Sequence, residues 1–201
     1  PTPIPSRDPF RVLCFGRISG YKSAGPLKLL QEAPMLKKSI PSLEIAFVGG
    51  GWRTWKFRLM AARANAAAGE RYLRIIGTQT DPQRWFEWAT LVCAGSTSAV
   101  EAVLAYRPTV VFSGFWIGLL TPEKLDEAFA SYFGERSGPY YVRHHLEKIS
   151  AEIQRVYDEW ENERMERDLA AARAAVEPRF RREGAATEFE RLFRSLYSST
   201  L

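Results

Sequence analysis

The sequence predicts an α/β fold in which a Rossmann-like, doubly wound parallel sheet is followed by long C-terminal helices. Over the first two thirds of the 201 residues, short apolar runs alternate with longer amphipathic ones, as in consecutive βαβ units. The short runs are apolar at nearly every position, which is typical of strands covered by helices on both faces. After Pro139, apolar residues recur at steps of three and four, which indicates helix. We therefore expect a nucleotide-binding domain over residues 1–139 and a helical extension over residues 140–201.

Five apolar runs make up the predicted sheet. They lie at residues 11–15, 43–48, 72–76, 90–93 and 109–112. The amphipathic segments between them predict helices at residues 25–38, 54–68, 82–89 and 98–105. Glycine and proline residues at the joints mark where each element ends.

The predicted extension begins with an apolar stripe at helical spacing. Its members are Val142, Leu146, Ile149, Ile153, Val156 and Trp160. Closely mixed charge then continues the helix as a solvated face up to Pro178, which is expected to stop or kink it. A last amphipathic helix is predicted at residues 187–197. We expect the extension to pack on the first domain, to brace a partner domain, or to pair with a second copy and form a homo-oligomer.

Composition limits the classes of protein to consider. The net charge of +5 permits an anionic partner such as a nucleotide, a nucleic acid or an acidic membrane surface. The longest apolar stretch, residues 109–120, is shorter than the roughly 20 residues that span a bilayer. Cys14 and Cys93 each lie in an apolar run, so we expect buried thiols in a cytoplasmic protein. The adjacent His144 and His145 lack the spacing of metal ligands, and no metal site is predicted.

The loop after the first strand, "GRISGYKSAG", carries two cations. Ligands of open parallel sheets bind beyond the carboxyl ends of the strands, so the residues of such loops are candidates for contact. Gly16 permits a tight turn, the guanidinium of Arg17 can bind two phosphate oxygens, and Lys22 adds a compact charge. These three residues are the first candidates for binding a diphosphate.

The loop after the fourth strand, "AGSTSAVEA", leads small residues into a helix. Ser96, Thr97 and Ser98 would present the N-terminus of that helix to an anion, where the helix dipole favours phosphate. Glu101 follows about one turn later. A carboxylate is a poor phosphate ligand but a good acceptor for two ribose hydroxyls, so Glu101 is the candidate ribose contact.

The loops after the second and third strands complete the predicted crevice. Three consecutive glycines after the second strand have backbone N–H groups that could face an anion bound in the crevice. The sequence "GTQTDP" after the third strand offers side-chain and backbone groups to a base edge. The candidate contacts in these two loops are Gly49, Gly50, Gly51, Gly77, Thr78 and Gln79.

Each of these features also has an ordinary structural interpretation. The cations are typical of a surface, the glycines of a flexible loop, the serines of an N-cap, and Glu101 of a solvated first turn. Their placement after different strands of one βα series favours a shared crevice. Cations, glycines, a helix N-terminus and a diol acceptor together predict a nucleoside diphosphate site.

The residues in these loops resemble the carboxy-terminal domain of GT-B fold glycosyltransferases, most closely those of family 4. "FGRISGYK" is similar to the family's Gly-Arg-aliphatic-x-x-x-Lys, "LEIAFVGGG" to its "IVGDG", and the stretch from "RIIG" to "PTVVF" to its ribose-binding region. The closing "FRREGAATEFERLFRSLY" resembles the family's terminal helices. The resemblance implies that Arg17 and Lys22 hold the donor diphosphate and that Glu101 binds the ribose. It also places Gly114, in the loop after the fifth strand, beside the donor.

The sequence departs from the family at two points. Many members carry a glutamate eight residues before the ribose-binding one, and Cys93 stands at that position here. The resemblance also implies an amino-terminal, Rossmann-like domain that holds the acceptor, and we expect these 201 residues to contain only one of the two domains, because two need roughly 300 residues. No catalytic residue is therefore assigned, and the chain alone is expected to be inactive.

The resemblance implies a hexosyltransferase-type enzyme whose substrate is a UDP-sugar or a GDP-sugar, with no tightly bound cofactor. The full enzyme is expected to be cytoplasmic, and the resemblance is compatible with peripheral contact of that enzyme with a membrane. Two alternatives stay open: a sugar-nucleotide epimerase or hydrolase of the same fold, and a non-catalytic module that binds nucleotides or nucleic acid. Nucleic acid is disfavoured, because the charged helix mixes acids with bases instead of concentrating cations beside aromatics.

Overall fold

The computed structural model describes residues 3, 5–135 and 148–181 and contains one six-stranded sheet. The strands run in the order β3-β2-β1-β4-β5-β6. Their bounds are β1 Arg11–Phe15, β2 Glu44–Val48, β3 Leu73–Gly77, β4 Leu91–Ala94, β5 Thr109–Phe112 and β6 Trp116–Leu119. The first five strands pair in parallel, which confirms the predicted α/β fold, and β6 pairs antiparallel with β5.

Seven α-helices accompany the sheet in the described residues. They are α1 Ala24–Ser39, α2 Thr54–Ala68, α3 Gln83–Trp88, α4 Thr97–Leu104, α5 Leu125–Ala130, α6 Lys148–Asp158 and α7 Asn162–Phe180. Short 3-10 turns at Gly20–Ser23 and Pro122–Lys124 precede α1 and α5. The five predicted strands and the first four predicted helices all form, with ends that differ by at most one residue.

The sheet has a core on each face, which explains why its strands lack alternation. On β1, Val12 and Cys14 belong to one buried cluster, whereas Leu13 belongs to the other. The first cluster packs under α1, α2 and α6, and the second packs under α3, α4, α5 and α7. Parallel strands covered on both faces need apolar side chains at every position, as the sequence indicated.

The C-terminal extension differs from the single long helix that the stripe predicted. Two helices, α6 and α7, are separated at residues 159–161, where the Trp160 ring packs edge-on against Phe10 with centroids 5.9 Å apart. The sequence predicts that Pro178 stops or kinks the helix, and α7 does not stop at this proline, because it continues to Phe180. None of the helices in the described part of the chain is long and apolar enough to cross a membrane.

The part of the stripe on α6 is buried within the chain, whereas Trp160, between α6 and α7, is half-buried. Ile149, Ile153 and Val156 are at most 1% exposed and share a cluster with residues of α1 and β6. This burial fits packing on the first domain and leaves these side chains unavailable to a second copy. The remaining stripe residues Val142 and Leu146, the adjacent histidines and the predicted helix at 187–197 lie outside the described residues.

Candidate functional site

A cleft opens where β1 and β4 end, at the centre of the sheet, and we call it the main cleft because the predicted diphosphate contacts line it. The strand order reverses here, because β1 is followed in sequence by β2 on one side and lies next to β4 on the other. Such a switch point is where open α/β sheets bind ligands. The cleft has a volume of about 240 Å³. All six residues predicted to contact a diphosphate line it: Gly16, Arg17, Lys22, Ser96, Thr97 and Ser98.

Two cysteines form the base of the cleft. Cys14 and Cys93 are register partners on the neighbouring strands β1 and β4, and both are free and buried. Burial raises the pKa of Cys14 to about 12. Burial also raises the pKa of Cys93, with smaller contributions from Cys14 and Glu152. Both thiols are therefore neutral near pH 7, and they act as apolar packing at the end of the strands, as expected from the sequence.

The cations of the first loop differ in their surroundings. Arg17 lines the cleft and is exposed to solvent. Lys22 is held by an acidic residue that the sequence did not single out, because its Nζ donates to Glu135 Oε1 at 2.6 Å. The hydroxyl of Tyr21 donates to the same oxygen at 3.3 Å. Glu135 thus occupies one side of the cation that was predicted to bind phosphate.

Glu135 is stabilised as a carboxylate in this position. Burial by itself raises the pKa of Glu135, but hydrogen bonds and charge from Lys22, together with hydrogen bonds from Tyr21 and Ser96, outweigh it and lower the pKa. The other carboxylate oxygen, Oε2, is buried and has no hydrogen-bond partner among the described residues. The carboxylate, whose side chain is 30% exposed, is therefore a partly exposed anion beside the cleft, paired with a cleft cation.

The N-terminus of α4 offers fewer donors than the sequence predicted. The backbone N–H of Ser96 donates to the carbonyl of Phe133 at 2.7 Å, so this amide is not directed at a ligand. Thr97 and Ser98 form the first turn of α4, where N–H groups have no acceptor within the helix. Ser96 also has φ 57° and ψ −140°, a backbone conformation that favours glycine.

The triple glycine after β2 packs behind the first loop, and its residues do not line the main cleft. The N–H of Gly49 donates to Gly77 O at 2.9 Å, and Ile18 N–H donates to Gly50 O at 2.9 Å. A Cβ on Gly49 would lie 1.8 Å from Gly16 O, and one on Gly51 would lie 2.2 Å from Ile18 O. The expectation of free N–H groups is therefore wrong for Gly49, whose donor is used between strands. These glycines permit two backbones to touch.

Glu101 lies apart from the main cleft. It lines a neighbouring hollow of about 670 Å³ between the start of α3, α4 and α7, together with Gln83 and Arg173. Partial burial raises the pKa of Glu101. Ser98 of the main cleft and Glu101 of the hollow both belong to α4 and lie three residues apart, about 4.5 Å along the helix axis. The predicted diphosphate and ribose contacts thus line two separate hollows.

The remaining predicted contacts are engaged with other parts of the protein. Gln79 accepts hydrogen bonds from Arg84 and, at 3.5 Å, from the Trp85 indole. Thr78 lies against Gly50, where an added Cβ would be 2.1 Å from its Oγ1. Gly114 donates its N–H to Gly134 O at 2.7 Å, and the adjacent Ser113 lines the cleft. In the described ranges, no group of three or more His, Cys, Asp or Glu side chains could hold a metal ion.

Comparisons with known proteins identify the fold. No family model matches the sequence, and no curated protein matches it. Among solved structures, a mutant of S. aureus TarM in complex with fondaparinux, α-GlcNAc-glycerol and UDP superposes with a TM-score of 0.65 at 19% identity, over 92% of this chain and 36% of that chain. Anabaena HepE in complex with UDP and glucose superposes with a TM-score of 0.59 at 17% identity, over 94% of this chain and 48% of the HepE chain.

A third solved structure is a domain by itself. The C-terminal domain of LpcC, a group 1 glycosyl transferase from Francisella tularensis, superposes with a TM-score of 0.55 at 15% identity, over 83% of this chain and 85% of that one. The chain thus spans about a third of TarM and about half of HepE. Its fold is the Rossmann-like α/β fold of one half of a GT-B glycosyltransferase.

Proposed function

We propose that this chain is the donor-binding half of a GT-B glycosyltransferase and that its main cleft binds the diphosphate of a nucleotide-sugar. One observation carries the proposal: loops that follow β1 and β4 bring Arg17, Lys22 and the first turn of α4 to a single cleft at the switch point. Two cations and a helix N-terminus around one space provide the charge and the donors that a diphosphate requires.

The nucleotide we propose is UDP, and the donor is a UDP-hexose. The crystal structures of TarM and HepE that share the fold are described with UDP, and HepE also with glucose. Uridine and ribose would occupy the neighbouring hollow, where Glu101 would accept hydrogen bonds from the ribose hydroxyls. The short distance from Ser98 to Glu101 along α4 fits the step from a phosphate to its ribose.

The role of the cations in transfer would be electrostatic. Negative charge grows on the diphosphate as the bond to the sugar breaks, and donors already aimed at that charge stabilise the transition state. Arg17 is exposed beside the cleft and could bind two oxygens, whereas Lys22 would exchange the Glu135 carboxylate for phosphate. The acceptor and any catalytic base would come from a second domain, and we expect the chain alone to bind the donor without completing transfer.

Titration of the chain with UDP tests this proposal. We expect calorimetry to show binding by the wild type and a loss of roughly tenfold or more in affinity for Lys22→Met, because one phosphate cation is removed. Lys28→Met is the matched control, since Lys28 forms an i,i+4 ion pair with Glu32 on α1. Equal affinities for the two variants, or no binding of UDP by the folded wild type, would contradict the proposal.

A further inference from the structure

The outer face of α2 and the turn before it expose large apolar side chains. Trp52 is 67% exposed, Trp55 is 65% exposed and Leu59 is 45% exposed. Trp55 and Leu59 lie one turn apart on the same face of α2, and Trp52 lies in the turn that leads into the helix. We call these three residues the row. These are three of the six exposed large hydrophobic side chains in the described residues, so the row is a concentration and not a scatter.

The opposite face of the helix fixes its orientation. Phe57 and Ala61 are buried, and the Phe57 ring packs against Phe47 of β2 with centroids 5.7 Å apart. The inner face of α2 therefore packs against the core, and the outer row takes no part in that packing. The guanidinium of Arg53 lies over the Trp52 ring, 4.7 Å from its centroid, but both tryptophans and Leu59 keep much of their surface exposed.

The segment that carries the row also carries several cations, and it contains no acidic residue that could pair with them. Residues 51–68 contain Arg53, Lys56, Arg58 and Arg63 and no Asp or Glu. On α7, by contrast, cations are paired one turn away, as in the Arg173–Glu177 ion pair at 3.4 Å. A helix that combines an apolar row with cations and no acidic residues is complementary to a uniformly anionic surface.

We propose that the outer face of α2 docks on an anionic lipid bilayer, with the helix lying in the plane of the interface. Indole rings favour the boundary between headgroups and acyl chains, and Leu59 would add apolar area. Lysine and arginine side chains around them would lie among anionic headgroups. The absence of any acid on α2 favours this occupant over a protein surface of mixed charge.

The docking face adjoins the main cleft but is not part of it. The guanidinium of Arg53 donates to Ser23 Oγ at 3.0 Å, and Ser23 follows the cleft residue Lys22. A docked α2 would therefore hold the loop after β1 close to the membrane surface. The inference does not depend on nucleotide binding, because Trp52, Trp55 and Leu59 do not line the cleft.

Co-sedimentation with vesicles tests the apolar row. We expect the chain to sediment with vesicles of phosphatidylcholine and phosphatidylglycerol, and to do so much less with pure phosphatidylcholine or at high salt. Replacing both Trp52 and Trp55 by Ala should lower the partition coefficient by about tenfold or more. Met35→Ala is the matched control, because Met35 is 60% exposed on α1 and lies outside the row.

The cations are tested by a charge-matched pair of double variants. Arg58→Gln with Arg63→Gln should weaken binding to anionic vesicles, whereas Arg164→Gln with Arg167→Gln, on α7, should leave it nearly unchanged. Circular dichroism and Tm confirm that each variant is folded, and UDP titration reports separately on the cleft. The inference is overturned if the tryptophan variant sediments like the wild type, if neutral and anionic vesicles bind equally, or if the row instead forms a lipid-independent dimer that the variant abolishes.

Discussion

Two glycine-bearing loops follow the neighbouring strands β1 and β2, and they differ in what they contact. The loop after β1, with Gly16, opens onto the main cleft together with Arg17 and Lys22. The loop after β2 packs behind it, so that Gly49 and Gly51 touch the backbone of the first loop. The sequence looks equally suited to an anion in both places, but only the first loop lines the cleft.

The difference shows that a glycine-rich turn at the end of a strand has two physical explanations. One is close approach of the backbone to a ligand, and the other is close approach of one backbone to another. The second explanation accounts for Gly49 and Gly51, whose added Cβ atoms would meet the backbone of the first loop. The N–H of Gly16 also donates to Val48 O at 3.0 Å, which extends the strand pairing into the loops. The shape of the cleft loop therefore depends on glycines that lie behind it.

The largest expected effect comes from breaking that support with Gly49→Ala. Its φ is 141° and the new Cβ would lie 1.8 Å from Gly16 O, so the two loops must separate. We expect a loss of about 3 kcal/mol or more in the free energy of unfolding, measured by urea denaturation.

Gly69→Ala is the matched control for that change. Gly69 caps α2 with φ 71°, but an added Cβ would meet no surrounding atom within 4 Å, so only backbone strain of about 1 kcal/mol is expected. If both variants lose the same stability, contact between the loops is not the reason for glycine at position 49.

A smaller effect is expected from Glu135→Gln, which tests whether the loop after β1 can bind an anion more tightly once Lys22 has lost its acidic partner. Lys22 would lose its ion pair with Glu135 and become available to phosphate. Because a partly exposed ion pair contributes at most about 1 kcal/mol, we expect affinity for UDP to rise by roughly threefold to fivefold at pH 7. Calorimetry measures the change, and Glu127→Gln on α5 serves as an exposed control.

The dependence of this effect on pH follows from the lowered pKa of Glu135. A carboxyl group with a lowered pKa stabilises the fold above its unfolded pKa, and that contribution disappears as pH falls through the folded value. Protonated Glu135 resembles glutamine, so the affinities of wild type and variant should converge on acidification. A difference that stays constant across this range would contradict the ion-pair explanation.

The sequence allowed prediction of the elements whose pattern is local. The first five strands were predictable because both faces are buried and each run is apolar throughout. The antiparallel β6 was not, since Trp116–Leu119 continues the same apolar stretch as β5 after a two-residue interruption and a short turn. The break between α6 and α7 coincides with a long-range contact of Trp160 with Phe10, which helical spacing does not reveal.

The candidate site likewise contains residues that the sequence pattern predicts and residues that it does not. Arg17, Lys22 and the residues before α4 were predictable, because the carboxyl ends of parallel strands meet at one edge of the sheet. Glu135 was not predictable, since it lies 113 residues from Lys22 and follows no strand of the predicted series. The engagement of Gly49 and Ser96 amides with other carbonyls depends on how the loops pack, and no residue pattern encodes it.

The smallest expected effect concerns the loop after β4, where a serine adopts a backbone conformation that favours glycine. Ser96 has φ 57° and ψ −140°, and its N–H donates to Phe133 O. Ser96→Gly should relieve strain of about 1–3 kcal/mol, but glycine also gains freedom in the unfolded chain. We therefore expect a net rise of about 0.5 kcal/mol in the free energy of unfolding, measured by urea denaturation. A loss of stability would show that the Ser96 hydroxyl, which lowers the pKa of Glu135 through a hydrogen bond, contributes more than the strain costs.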